Sequence, residues 1–140
     1  MSLGTGGWTL AIFLETIGAM DARVQVLQRR IEGIRQKLNT LGDLRPGYLT
    51  EQYNVCGNPT CRCKATPPRK HGPYYQLAWA RKGRSTTRFI RKPNAPTVQE
   101  QLRTYELLQS LIDQWIEAAI EICELKLAES ALVAAQKRAE

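Results

Sequence analysis

Ten apolar residues near the N-terminus recur at alternating spacings of three and four: Leu10, Phe13, Ile17, Met20, Val24, Leu27, Ile31, Ile34, Leu38 and Leu41. A seam of this kind forms one continuous stripe only on a helix, and the stripe needs a second helical surface to cover it. The spacing predicts a helix from near Thr9 to around Gly42, a residue suited to the position just past a helix end. Gly18 and Gly33 weaken this helix by up to about 1 kcal/mol each relative to Ala. Because the seam keeps its phase through Met20, residues 1–19 are read as more than a disordered extension, with Met20 as the alternative start.

A second helix is expected after Pro93 and Pro96, with Thr97 as N-cap and Glu100 completing a capping box. Tyr105, Leu108, Ile112, Trp115, Ala119 and Ile122 carry its seam. Ile116, Ile120, Cys123 and Leu127 widen that seam, which implies more than one packed surface. At this spacing Cys123 reads as a small core residue. From Ala128 onward the pattern thins to alanines, and fraying is expected. The two seams permit antiparallel pairing within one chain or pairing across two chains. The length of the first favours a homodimer through the N-terminal helix.

Between the helices, Leu44 to Pro73 is rich in Pro, Gly, Asn and Cys and reads as irregular loop. Tyr74–Ala80 and Ser85–Ile90 read as two strands about an Arg81-Lys82-Gly83-Arg84 turn. Tyr75, Leu77 and Trp79 alternate onto one strand face, most simply covered by the helix pair. The fold class expected is therefore mainly α with a small β-hairpin: two long coiled-coil-like helices flanking a Cys/His zinc loop and a basic two-stranded hairpin. The segments are 1–43, 44–96 and 97–140, within one integrated domain.

Charge is distributed as unevenly as structure. Residues 1–51 carry six basic and five acidic side chains, residues 52–99 ten basic and none acidic, and residues 100–140 four basic and eight acidic. The middle third is therefore +10 in a chain whose net charge is +7. A single-signed field of this extent attracts a polyanion. The candidate phosphate contacts are Arg62, Lys64, Arg69, Lys70, Arg81, Lys82, Arg84, Arg88, Arg91 and Lys92. Tyr48, Tyr53 and Tyr74 are candidates for stacking on unpaired bases, whereas Tyr75 reads as hairpin core.

The basic stretch contains Cys56-Gly-Asn-Pro-Thr-Cys61-Arg-Cys63 and the chain's single histidine, His71. Three thiols and an imidazole within 16 residues match the ligand set of tetrahedral zinc. A loop so poor in apolar residues gains much of its folding free energy from the metal. With Cys56, Cys61, Cys63 and His71 all bound, no position is left for a catalytic water, so a structural Zn2+ is expected. Free or weakly packed thiols, a disulfide or another metal are the alternatives to this spacing. No secretory signal is read: the apolar stretch Trp8–Met20 lacks a preceding basic residue and contains Glu15. Cysteines without an export signal suit a reducing compartment, and the expected location is cytoplasmic, with no membrane partner.

The strings Pro46-Gly47-Tyr48-Leu49-Thr50-Glu51-Gln52-Tyr53, Cys56-Gly57-Asn58-Pro59-Thr60-Cys61-Arg62-Cys63 and His71-Gly72-Pro73-Tyr74-Tyr75 resemble an uncharacterised bacterial domain family. Members of that family are often labelled hypothetical or transposase-associated. The likeness continues through Lys82-Gly83-Arg84 and Thr87-Arg88-Phe89, covers roughly residues 21–127 and leaves residues 1–19 outside. It implies a domain boundary and a mobile-element context, and it supplies no catalytic residue. Two-metal nuclease chemistry needs clustered carboxylates, but apart from Glu51 the acids here lie in the two helical segments. A non-catalytic accessory protein binding DNA, RNA or a ribonucleoprotein is expected. An adaptor docking a larger protein partner through its helices is the alternative.

Overall fold

In the computed structural model, which describes residues 9–140, α1 runs over Leu10–Asn39 and α2 over Ala95–Ala139. Between them lie β1 (Tyr48–Asn54), β2 (His71–Arg81) and β3 (Arg84–Ile90), with short 3-10 turns at Arg62–Lys64 and Lys92–Asn94. Residues 1–8 of the segment expected to be helical lie outside the described residues. The chain divides into two compact units. One is α1 with the part of α2 from Ser110; the other is Leu41–Gln109.

In the first unit, α1 starts where its cap requires. The Thr9 hydroxyl accepts the Ile12 backbone N–H at 3.4 Å, satisfying one of the free donors of the first turn. The helix stops at Asn39 rather than near Gly42. Thr40 ends it while still helical in conformation, its hydroxyl donating to the Lys37 carbonyl at 2.8 Å. The two helical stretches run antiparallel. Arg23 meets Glu121 and the Arg35 guanidinium lies 4.9 Å from the Trp115 ring centre, so advancing along one helix retreats along the other. Leu27 and Ile31 bury against Ala118, with Trp115, Ile122 and Leu125 around them. Burying one Leu fully stabilises by roughly 2 kcal/mol, so Leu27, 1% exposed, is a principal contributor to this core.

Two expectations for α2 fail here. Its buried stripe passes through Leu111, Trp115, Ala118, Ile122 and Leu125, and leaves Ile112, Ile116, Ile120, Leu127 and Cys123 exposed. Cys123 is therefore not a core residue. A single packed surface covers one stripe of a helix that is apolar on more than one side. The helix also continues to Ala139 instead of thinning out after Ala128.

In the second unit the sheet has three strands in the order β1-β2-β3, all antiparallel, and not two. β1 occupies sequence read as loop. Its residues Leu49 and Thr50 pair with Leu77 and Gln76, but Glu51 and Gln52 dilute the apolar alternation that marks a strand. Gly47 permits its approach: at φ +122°, a Cβ there would run into the Ala78 carbonyl. The hairpin turn is as expected, with Lys82 and Gly83 both at positive φ (50° and 74°), as a two-residue loop requires. Leu77 is fully buried against Val98 and Leu102, with Leu49, Trp79 and Ile90 packed round them. The cover of this face is thus the start of α2. That helix begins at Ala95, directly after the 3-10 turn, so Thr97 lies within its first turn and is not the cap. Glu100 pairs with Arg103 at 2.8 Å instead of closing a capping box.

Candidate metal centre

Local turn chemistry gathers the cysteines. The Asn58 side-chain oxygen accepts from the Thr60 N–H at 3.0 Å and the Thr60 hydroxyl at 2.9 Å, while the Cys61 N–H donates to the Asn58 carbonyl. This Asx-type turn reverses the chain after Pro59. The 3-10 turn follows, closed by the Lys64 N–H on the Cys61 carbonyl at 2.9 Å. Cys63 is thereby folded inward to 1% exposure, with its Sγ 3.5 Å from that of Cys56. His71, the first residue of β2, brings Nε2 to 3.2 Å from Cys61 Sγ.

All four ligand atoms lie within 4.8 Å of one another. Tetrahedral zinc with bonds of 2.3 Å to sulfur has S···S edges of about 3.8 Å, so the cluster has the size of a tetrahedral metal site. The four cysteines of the chain are free thiols, and the Cys56–Cys63 separation is far longer than an S–S bond. The Cys56 backbone N–H donates to Cys63 Sγ at 3.4 Å, the kind of second contact that steadies a ligating sulfur. The backbone N–H of Cys63, followed by the neighbouring Cys56 and Cys63 thiols and His71, lowers the Cys61 thiol to about 6. Burial raises Cys63. A thiolate is therefore already favoured at Cys61, whereas Cys63 would give up its proton on binding a cation. Three thiolates and a neutral imidazole around a divalent ion leave one net negative charge, beside Arg62 and Lys64.

All ten candidate phosphate contacts are exposed, and none forms an ion pair among the described residues. They do not form one patch. Arg81, Lys82 and Arg84 sit at the hairpin tip, where Arg81 and Arg84 are register partners. Arg62 and Lys64 flank Cys63, and Arg69 and Lys70 directly precede His71, at the other end of β2. The strand is eleven residues long, so its ends lie about 33 Å apart at 3.3 Å per residue. Arg88 lies on β3 opposite Leu77, and Arg91 and Lys92 lead into the turn before α2.

Nothing in the sequence singled out Arg45. Its guanidinium stacks 5.0 Å from the Trp79 ring centre, and its Nε is buried without a hydrogen-bond partner among the described residues. With Arg88, Arg91, Asn94, Thr97 and Gln101 it lines a cavity of about 440 Å³. No described helix is long and apolar enough to cross a membrane.

A model of the domain of unknown function DUF6788 matches residues 24–100, more than half of the chain and inclusive of the whole Cys/His cluster and every strand. No curated protein and no solved structure matches this chain. With the cluster, the sheet and most of α1 inside the matched region, the chain belongs to the DUF6788 family.

Proposed function

We propose that this chain is a zinc-ordered, non-catalytic nucleic-acid-binding accessory protein of a bacterial mobile element, acting as a homodimer. One observation carries the reading: ten cationic side chains stand exposed and, among the described residues, free of ion pairs on a module with no carboxylate between residues 52 and 99. Phosphate contacts of this kind release condensed counterions, which makes binding tight at low salt and weak at high salt. In this reading Zn2+ is structural. Cys56, Cys61, Cys63 and His71 fill its four positions and keep Arg62, Lys64, Arg69 and Lys70 presented on an otherwise core-poor loop.

The test is fluorescence anisotropy with random-sequence oligonucleotides, single-stranded and duplex. Six to ten phosphate contacts correspond to a loss of roughly a thousandfold or more in affinity between about 50 and 200 mM salt. Affinity that does not move with salt, or no binding of either form at low salt, would refute the proposal. The second reading is an adaptor that docks a protein partner through its helices. It is favoured by the exposed row Ile112, Ile116, Ile120 and Leu127 on α2. A purified chain free of nucleic acid, judged by absorbance at 260 against 280 nm, and still monomeric with that row open, supports the adaptor instead.

A further inference from the structure

We infer that the outer face of the β-sheet is a stacking platform for the unpaired bases of a single-stranded nucleic acid. This rests on the nucleic-acid reading above and specifies its ligand. Strand register assigns the faces. Leu49, Leu77 and Trp79 point toward Val98 and Leu102, so their neighbours in sequence point the other way. That other face carries three aromatic side chains, one per strand: Tyr48 on β1, Tyr74 on β2 and Phe89 on β3, exposed by 63%, 43% and 72%. Phe89 at 72% is an unusually open position for a Phe, and no core requires it there.

What lies among the rings also suits bases. Gln76 is the register partner of Phe89, and its side-chain oxygen accepts from Gln52 Nε2, so carboxamides sit between the aromatics. Tyr74, two residues before Gln76, is diagonal to Phe89 on the adjacent strand, a separation of about 7–8 Å. Beside Tyr48, small residues (Ala78, Ala80, Ser85 and Thr87) line a hollow of about 340 Å³, open to a planar ring. A protein partner or a membrane would select contiguous aliphatic surface. Here isolated rings alternate with Gln, Thr and Ala, the pattern by which base faces are stacked and base edges hydrogen-bonded. Charge around the face favours a polyanion: the platform carries no carboxylate, since Glu51 is the partner of Tyr75 on the inner face, and Arg81, Lys82 and Arg84 stand at the hairpin end of the same sheet. A duplex keeps its base faces stacked inside and cannot use such a platform.

The test compares anisotropy titrations of the full-length, metal-loaded protein with single-stranded and duplex oligonucleotides of one sequence, each as DNA and as RNA. Single strands of at least one type should bind more tightly than either duplex. Tyr74→Ala and Phe89→Ala should each weaken single-strand binding about fivefold or more, the lower edge of one stacked base. Tyr74→Phe should bind like wild type, and duplex affinity should be unchanged by any of the three. Metal content and helical circular dichroism check that the variants fold. Independently of any variant, ultraviolet cross-linking of a 5-bromouracil strand to the wild-type protein should map to Tyr48, Tyr74 or Phe89. If duplex binds as tightly as single strand, or the Ala variants bind single strands normally, or cross-links fall elsewhere, the platform is overturned while salt-dependent binding survives. If neither form binds, both the platform and the proposed function fall.

Discussion

The Arg45 guanidinium lies 5.0 Å from the centre of the Trp79 ring, while its Nε is buried with no hydrogen-bond partner among the described residues. The Arg45 backbone N–H is also engaged, donating to the Gln101 carbonyl at 3.3 Å. The side chain therefore stacks on Trp79 at the edge of a cavity that holds Arg88 and Arg91 and no acid. Lysine keeps the charge but neither the planar fork nor the stacking. Arg45→Lys should lower stability by about 0.5–1 kcal/mol, the value of an exposed cation–π contact, as read by urea denaturation. It should also reduce nucleic-acid affinity several-fold at constant salt. Arg45→Ala should in addition make the slope of log affinity against log salt shallower by about one unit. An unchanged slope would mean that Arg45 touches no phosphate.

Metal affinity should fall as pH drops, most steeply below about 6, where protons compete for Cys61 as well as for Cys63. The Cys61 thiol is lowered to about 6 by the Cys63 N–H and the neighbouring thiols and His71. A group lowered in the folded state contributes above its ordinary value, and the contribution is lost as pH falls through the lowered one. Cys63 is shifted the other way by burial, so metal uptake at neutral pH should release protons, measurable in buffers of differing ionisation enthalpy. A chromogenic chelator should extract one zinc per chain, faster at pH 5.5 than at 7.5. In metal-free protein at pH 7, iodoacetamide should modify Cys61 ahead of Cys63 and leave both untouched once zinc is restored. Cys123, exposed on α2, should be modified in either form.

How much of this was legible in the sequence follows from how local each signal is. The α1 seam was, because its eight positions from Phe13 to Leu38 are also the helix's least exposed stripe. The clustering of Cys56, Cys61, Cys63 and His71 was too, since soft ligand types are rare enough to stand out by type alone. β1 was not: with Glu51 facing the sheet's inner side and the strand flanked by Gly, Asn and Cys, alternation barely rises above loop composition. α2 misled for a different reason. Ile112 and Leu111 are both apolar, and periodicity reports which residues share a stripe but not which stripe a partner covers. Arg45 was invisible because its meaning depends on Trp79, a residue far along the chain and brought near only by the sheet.

The stripe left open on α2 yields a prediction about assembly. Ile112, Ile116 and Ile120 recur every four residues and are 41%, 50% and 57% exposed, with Leu127 further along at 66%. Burying such a row against a second copy would remove it from water without disturbing the Leu27–Ala118 core. Sedimentation equilibrium should find a dimer. Ile116→Glu combined with Ile120→Glu should convert it to a monomer of unchanged helix content, because neither side chain supports the chain's own packing. A wild-type monomer at all accessible concentrations would refute the homodimer.

Backbone conformation beside the Cys/His cluster gives a last prediction. Gly72 follows His71 and has φ +139°, a conformation that L side chains avoid. A Cβ at this position would lie 2.7 Å from the Gln52 carbonyl oxygen and 2.9 Å from the Tyr53 ring, where β1 shifts register against β2. Neither neighbour is the loose end of a flexible side chain, so the strain must be relieved by moving β2 at the residue that supplies the imidazole. Gly72→Ala should therefore cost about 1–3 kcal/mol, the range for a strained backbone position, and weaken zinc binding at least tenfold in a competition assay. Gly57→Ala is the control: it lies in the turn between Cys56 and Cys61, at no positive φ, and an added Cβ meets nothing within 4 Å. That variant should bind zinc as wild type does. Equal zinc affinity in the two variants would show that His71 is positioned by the metal alone and not by the strand that begins with it.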